Sequence, residues 1–121
     1  MAADPDAAMS PAECLRAEGF TIRAWGGGLH IFENGTMNGL LDLRHGIEVI
    51  ALHNEERGNG QFVAVMGTFE RLAAAHGAKM QVVQIWNNRL AKWLKRRGYV
   101  LAKHPELGRF ATLRIKDIQH A

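Results

Sequence analysis

Residues 47–99 read IEVIALHNEERGNGQFVAVMGTFERLAAAHGAKMQVVQIWNNRLAKWLKRRGY, and the patterns within this stretch decide the predicted fold. Its first segment, 47–53, is β-branched and mostly apolar, which predicts a central strand covered on both faces. A polar, glycine-bearing loop follows at 54–60. From 61 to 76 the apolar residues recur at three- and four-residue spacing, as in an amphipathic helix. The stretch therefore opens with a strand, a loop and a helix.

The second half of the stretch repeats this alternation. Residues 80–86 form an apolar run that predicts another strand. Asn87 or Asn88 can cap a basic helix that covers 89–97, because asparagine side chains accept hydrogen bonds from the first free N–H groups of a helix. Strands that alternate with helices in this way predict helices packed over a sheet.

The segments on either side supply more strands. Ser10, Pro11 and Glu13 form a capping-box pattern that predicts a short helix to about Ala17. Further strands are predicted at 20–25, 29–33, 40–43, 99–103 and 109–115, although 40–43 is too short to exclude a helical turn. The predicted fold class is α/β (α+β), with a mixed, twisted sheet of about six or seven strands flanked by two or three helices. We expect a loose tail at 1–9 and a single domain at 10–121.

Composition excludes several classes of protein. Hydrophobic residues make up 47% of the 121 residues and charged residues 22%, as in globular proteins. No apolar run reaches the roughly 18 residues of a membrane span. The lone Cys14 and the absence of a secretory signal pattern predict a reducing, cytoplasmic location, with Cys14 as a small buried hydrophobe. The histidines lack metal-ligand spacing, so we expect no metal site.

Positive charge is concentrated in one segment of the chain. The net charge is +3, and five of the cations lie together at Arg89, Lys92, Lys95, Arg96 and Arg97. Such a cluster is compatible with nucleic acid, with the phosphates of a nucleotide or with a solvated helix face. A nucleic-acid partner is the least favoured, because no helix-turn-helix, zinc motif or aromatic-studded strand accompanies the cluster.

The loop before the long helix has the composition of a phosphate site. Arg57, Gly58, Asn59 and Gly60 combine a cation with two glycines that let the backbone approach an anion closely. A helix N-terminus behind such a loop attracts phosphate through its free N–H groups and its dipole. The loop is neither a GxGxxG nor a GK[ST] motif. A plain turn before a helix has the same appearance.

Read together, the loop and the second helix resemble the GCN5-related N-acetyltransferases. The loop pattern of that family, Arg/Gln-x-x-Gly-x-Gly/Ala, is matched by Arg57 and Gly60. The later pattern, Asn-x-x-Ala-x-x-x-Tyr-x-x-x-Gly-Phe, is matched by Asn87, Gly98 and Tyr99. The resemblance covers about 70 of the 121 residues.

The resemblance implies acetyl-coenzyme A, or another acyl-coenzyme A, as cosubstrate and an amine, on a small molecule or a protein, as acceptor. The implied coenzyme-binding residues are Leu52, Arg57, Gly58, Asn59, Gly60, Gln61, Phe62 and Asn87. Among them, residues 58–62 would cradle the pyrophosphate through their backbone. Leu52 would bind the acyl and pantetheine groups through its main chain, and Asn87 would contact the pantetheine arm. Glu48 and His53 are the candidate general bases.

Three features depart from the family pattern. Phe62 stands where the loop has glycine or alanine, so its ring would crowd the phosphate pocket or turn into the core. Leu94 occupies the position of the tyrosine that protonates the leaving thiolate. The segment before residue 47 is short for the family.

A second resemblance accounts for Leu94. Short acetyltransferase-like proteins of tailed phages have an asparagine, then an aromatic-Leu-Lys, then a glycine, matched here by Asn87, residues 93–95 and Gly98. It implies a non-catalytic protein of the virion or host cytoplasm that binds a protein partner. Trp25, beside three glycines, is predicted to be exposed, where a partner or a dimer mate could cover it. Trp86 and Trp93 are predicted to be core or interface anchors.

Overall fold

The computed structural model describes residues 9–55, 60–106 and 108–113, and within them it contains one sheet and three helices. The helices are α1 (Pro11–Ala17), α2 (Gln61–Ala75) and α3 (Asn88–Arg96). The strands are β1 (Thr21–Gly26), β2 (Leu29–Asn34), β3 (Met37–Asp42), β4 (Gly46–Asn54), β5 (Lys79–Val82), β6 (Val100–His104) and β7 (Gly108–Leu113).

All seven of these strands belong to one open, mixed sheet in the order β1-β2-β3-β4-β5-β7-β6. Strands β1 to β4 run antiparallel to one another, and β4 and β5 pair in parallel. Strand β7 lies between β5 and β6 and is antiparallel to both. Helix α2 connects the parallel strands β4 and β5, as a parallel pair requires. The predicted mixed α+β fold and its strand number are confirmed.

The hydrophobic core lies on the helical side of the sheet. The rings of Phe20, Phe32 and Phe69 pack with centroids 5.3 to 6.0 Å apart and join β2, α2 and the segment after α1. On β4, Ile47 and Val49 are buried, whereas the residues between and after them are half-buried or exposed. The prediction that β4 is covered on both faces is therefore wrong: burial alternates along the strand, and its buried residues belong to one core that also contains residues of α1, α2 and α3.

A β-bulge interrupts the pairing of β3 with β4. Leu40 pairs with Ala51 and Leu41 with Val49, so Ile50 is the extra residue on β4. A side chain at Gly39 would place its Cβ 2.2 Å from the Ala51 carbonyl oxygen. Glycine at this position therefore allows β3 to approach β4 closely beside the bulge, which is a known use of glycine in strands.

Two strands differ in extent from the sequence prediction. Strand β3 spans six residues and begins three residues earlier than predicted, which excludes the helical turn considered for 40–43. Strand β5 ends at Val82 rather than at residue 86. Gln84 has a φ of 54°, and the Ile85 N–H donates to the Arg109 carbonyl 3.0 Å away, so the chain turns from β4 towards β7. Residues 114–115 of the last predicted strand lie outside the described residues.

The tryptophans occupy three different environments. Trp25 is 65% exposed, as predicted, whereas Trp86 is 79% exposed and is therefore not a core anchor. Trp86 follows the early end of β5 and lies outside the strands and helices of the described residues, with its ring beside Gly108 at the start of β7. Trp93 is half-buried on α3.

The described structure begins at Met9, one residue before the predicted domain start. The Met9 carbonyl oxygen lies 2.6 Å from Nε2 of His76. Residues 1–8 of the predicted tail lie outside the described residues. Cys14 is buried, as expected of a small hydrophobe. No helix in the described part of the chain is long and apolar enough to cross a membrane.

Candidate functional site

Strand β5 pairs with only the first half of the parallel strand β4. Their pairing ends at Val49 and Val82, and one further hydrogen bond joins the Val83 N–H to the Val49 carbonyl at 3.0 Å. Strand β4 continues for five more residues to Asn54, whereas the chain after Val82 turns away. A gap therefore opens beside the carboxyl-terminal half of β4.

The main chain of Leu52 is directed into this gap. On the opposite edge of β4, the Glu55 N–H donates to the Thr36 carbonyl 2.9 Å away, at the start of β3. Backbone groups of successive strand residues point to alternate edges. Residues 51 and 53 therefore direct their N–H and C=O groups towards β3, and Leu52 directs its groups towards the gap, beyond the last pair with β5. This is the orientation that the resemblance implied for Leu52.

A cavity of about 600 Å³ occupies the mouth of the gap. The end of β4 contributes Leu52, His53 and Asn54 to its wall. Phe62 of α2 and Leu90 and Trp93 of α3 add apolar surface. The volume falls within the roughly 300–1,000 Å³ of pockets that bind small molecules and cofactors.

The amino end of α2 borders the same end of β4. Gly60 caps the helix with a φ of 79°, a left-handed conformation that glycine adopts without strain. Within the described structure no side chain caps this helix, and its first turn carries no acidic residue. A positive helix end of this kind is suited to an anion. Three of the predicted coenzyme-binding residues, Arg57, Gly58 and Asn59, lie outside the described residues.

Gln61 and Phe62, the first residues of α2, have different roles. The Gln61 side chain donates hydrogen bonds to the backbone oxygen and to the side-chain oxygen of Asn34, so it ties α2 to the β2–β3 turn. Phe62 lines the cavity, and its ring packs edge-on against Trp93 with centroids 4.7 Å apart. The ring is half-buried and forms a wall, so it neither fills the cavity nor turns fully into the core.

Asn87 lies at the cavity and also begins α3. Its side-chain oxygen accepts hydrogen bonds from the N–H groups of Arg89 at 2.8 Å and Leu90 at 3.4 Å. This confirms Asn87 as the helix cap. The same residue lines the cavity, where the resemblance predicted a contact with the coenzyme.

The five clustered cations separate into three groups. Arg89, Lys92 and Arg96 line the cavity and are called the basic row below. Lys95 is exposed and does not line the cavity. Arg97 turns the other way, and its guanidinium forms an ion pair with Glu70 at 2.6 Å. No acidic side chain of the described ranges lines the cavity, which gives its wall on α3 a positive charge.

Glu70 belongs to α2 and is buried against the segment after α3. It is 2% exposed, and it accepts hydrogen bonds from Arg97 and from the Tyr99 hydroxyl, which is 2.7 Å away. Burial, reinforced by the neighbouring Glu70 carboxylate, raises the pKa of Tyr99 far above its ordinary range. The hydrogen bonds that Arg97 donates to Glu70 raise the pKa of Arg97 as well. Tyr99 therefore stays protonated, and Arg97 stays charged.

The two candidate general bases lie at different ends of β4. His53 lines the main cavity. Glu48 lines a separate depression of about 240 Å³, together with Asp42, His45 and Lys79. His53 follows Glu48 by five positions along the strand, roughly 16 Å at about 3.3 Å per residue. Only His53 is therefore positioned to act on a ligand in the cavity.

Position 94 does not contribute to the cavity. Leu94 is 0% exposed and belongs to the hydrophobic core. Tyr99 is the only tyrosine of the chain, and it is buried against Glu70. A tyrosine general acid is therefore absent from this site.

Sequence reasoning did not identify Leu90, Trp93 and the basic row as cavity residues. A helical projection would have grouped Trp93 with the basic row, because residues 89, 92, 93 and 96 fall on one face at 3.6 residues per turn.

No family model matches the sequence, and a search of the curated proteins likewise finds no match. In the described ranges, no three or more His, Cys, Asp or Glu residues are grouped so that they could hold a metal ion.

Proposed function

We propose that the cavity beside β4 binds acyl-coenzyme A and that the protein is an acyl-coenzyme A-dependent N-acyltransferase. The observation that carries the proposal is the end of the pairing between β4 and β5, which leaves the main chain of Leu52 facing an open cavity. An extended pantetheine arm carries amide groups that can pair with such a strand edge, as added strands do in peptide recognition.

The charges around the cavity support the same ligand. The amino end of α2 and the basic row offer positive potential, and the apolar residues Leu52, Leu90 and Trp93 offer surface for the uncharged part of the ligand. Acyl-coenzyme A matches a cavity with one positive and one apolar part, because it is anionic at one end and carries a thioester at the other.

The reaction would need few groups from the protein. The acceptor amine attacks the thioester carbonyl carbon, a C–N bond forms, and collapse of the tetrahedral intermediate breaks the C–S bond. His53 accepts the proton that the amine loses, and the leaving thiolate takes up a proton from solvent, because no tyrosine is positioned to supply it. Orientation of the thioester and polarisation of its carbonyl by main-chain N–H groups supply the remaining catalysis.

A second candidate function follows from the core position of Leu94 and the burial of the only tyrosine. In this case the protein binds coenzyme A without turnover and acts through a protein partner, as a non-catalytic acetyltransferase-like protein of phage origin would. Fold and chemistry separate readily during evolution, so a retained pocket does not require a retained reaction.

The two functions are separated by measuring binding and turnover on the same preparation. Isothermal titration with acetyl-coenzyme A tests the pocket, and release of free coenzyme A thiol in the presence of a panel of amines tests the reaction. Binding together with amine-dependent thiol release supports the acyltransferase. Binding without release supports the non-catalytic protein, and the absence of binding at millimolar ligand contradicts both.

A further inference from the structure

The basic row is better placed for a ligand than for solvent. Its residues follow one another at intervals of three and four along α3, so they share one face over about 10 Å of helix at 1.5 Å per residue. All three line the cavity. In the described part of the chain none of them takes part in an ion pair, whereas the next cation, Arg97, is paired with Glu70. Three neighbouring like charges repel one another unless an anion joins them.

The cavity offers a second positive element, the amino end of α2, whose first turn carries no acidic residue. The aromatic pair Phe62 and Trp93 links the two elements, because Phe62 belongs to the first turn of α2 and Trp93 lies within the basic helix. The half-buried rings provide a surface on which a ribose or a base can pack. The cavity therefore accommodates two anionic groups separated by an apolar or aromatic unit.

We propose that the basic row recognises a phosphate on the ribose of a bound nucleotide, so that the site selects coenzyme A over its 3′-dephospho form. This inference rests on the proposed function and names the part of the ligand that each positive element binds. The amino end of α2 takes the pyrophosphate, and the basic row takes the 3′-phosphate. Arginine is suited to this task because its guanidinium binds phosphate through two parallel hydrogen bonds.

The test compares coenzyme A with 3′-dephospho-coenzyme A by isothermal titration, in the wild type and in two charge-reversal variants. Arg96→Glu changes the basic row, and Lys95→Glu is the matched control, since Lys95 is the adjacent exposed cation outside the cavity. Both positions are exposed, so the two variants should unfold at nearly the same temperature as the wild type.

We expect the wild type to bind coenzyme A at least roughly tenfold more tightly than the dephospho form, the effect of one charge-assisted contact. Arg96→Glu should remove most of this preference, and Lys95→Glu should keep it. Equal affinity of the wild type for the two ligands would overturn the inference and leave the proposed function standing. An equal loss of the preference in both variants would overturn it too, because the preference would then come from long-range electrostatic attraction and not from a contact with Arg96.

Titration with two further ligands, adenosine 3′,5′-bisphosphate and AMP, shows whether the phosphate site or the proposed function is wrong. Neither probe carries pantetheine or a thioester. One result would keep the phosphate site and exclude the acyltransferase: coenzyme A does not bind, but the bisphosphate binds more tightly than AMP. In that case Arg96→Glu should abolish the difference between the bisphosphate and AMP. Absence of binding by all four ligands overturns both.

Discussion

Arg97 donates hydrogen bonds from Nε to both carboxylate oxygens of Glu70, at 2.9 and 3.0 Å, and from Nη2 to one of them at 2.6 Å. The same guanidinium lies over the ring of Trp93, with its Cζ 5.3 Å from the ring centroid. The pair thus connects α2 to the end of α3 and borders a ring of the cavity wall. It also removes Arg97 from the set of cations that can bind a ligand.

Glu70→Gln should destabilise the protein strongly, because it leaves the Arg97 guanidinium without its carboxylate beside the core. Loss of one partner of a buried pair costs about 3–5 kcal/mol, and we expect about 3 because the Arg97 side chain is 30% exposed. Urea unfolding at pH 7 measures the change.

Glu18→Gln is the control for this substitution, since Glu18 forms an ion pair with Arg71 at the surface. Exposed pairs contribute at most about 1 kcal/mol. Equal destabilisation by the two substitutions would contradict a structural role for the Glu70–Arg97 pair.

Tyr99→Phe should change how stability depends on pH in the alkaline range. Because the pKa of Tyr99 is raised in the folded state above its ordinary value of 10.0, this tyrosine ionises in the unfolded chain first. Its stabilising contribution is complete below pH 10 and is lost as pH rises, by about 1.4 kcal/mol per pH unit. Unfolding free energies measured from pH 9 to pH 11 should fall less steeply in Tyr99→Phe. Parallel curves for the two proteins would refute the burial of this hydroxyl.

The stability of the folded protein should also depend on pH in the acidic range, through the carboxyl group of Asp42. Chiefly through the side-chain hydrogen bond from Arg44, the pKa of Asp42 is lowered from 3.8 to about 2. Its contribution to stability is present above pH 3.8 and is lost as pH falls through about 2. An NMR titration of the Asp42 carboxyl should give a value near 2 in the wild type and near 3.8 in Arg44→Gln. Identical titration curves would show that the ion pair does not form in solution.

If the acyltransferase proposal holds, His53→Asn should lower kcat for amine acylation by at least about 100-fold, as removal of a general base does. The affinity for acetyl-coenzyme A should change little, because the coenzyme is held by main-chain groups and by α3. His45→Asn is the matched control, since His45 lies in the depression at the other end of β4. Comparable kcat values for the two variants would exclude His53 as the base.

The sequence predicts the elements of this fold better than their environment. Ser10, Pro11 and Glu13 mark the start of α1 because capping is local chemistry, and Ser10 Oγ does accept the Glu13 N–H at 3.2 Å. The length of β5 was not predictable, because it depends on hydrogen bonding of residue 85 to Arg109 across the sheet. The exposure of Trp86 follows from the same early end of β5.

Part of the site was predictable, because several of its residues lie in or beside elements with a clear sequence pattern. His53, Phe62 and Asn87 flank elements that the hydrophobic pattern identifies, and the structure brings them together at one cavity. The distinct role of Arg97 could not be predicted, because its partner Glu70 lies 27 residues earlier on a different helix. The separation of Glu48 from His53 was predictable, because both residues belong to the strand predicted at 47–53, which the structure contains as part of β4.

The most direct test is an NMR titration of the ¹⁵N-labelled protein with acetyl-coenzyme A, in which the amide signals of Leu52 and Asn87 are followed. We predict saturable shifts at these residues and along the basic row, with little change at Glu48 and Gln81 beside the second depression. Shifts that are confined to the second depression, or no shifts at millimolar coenzyme, would contradict a coenzyme site between β4 and β5.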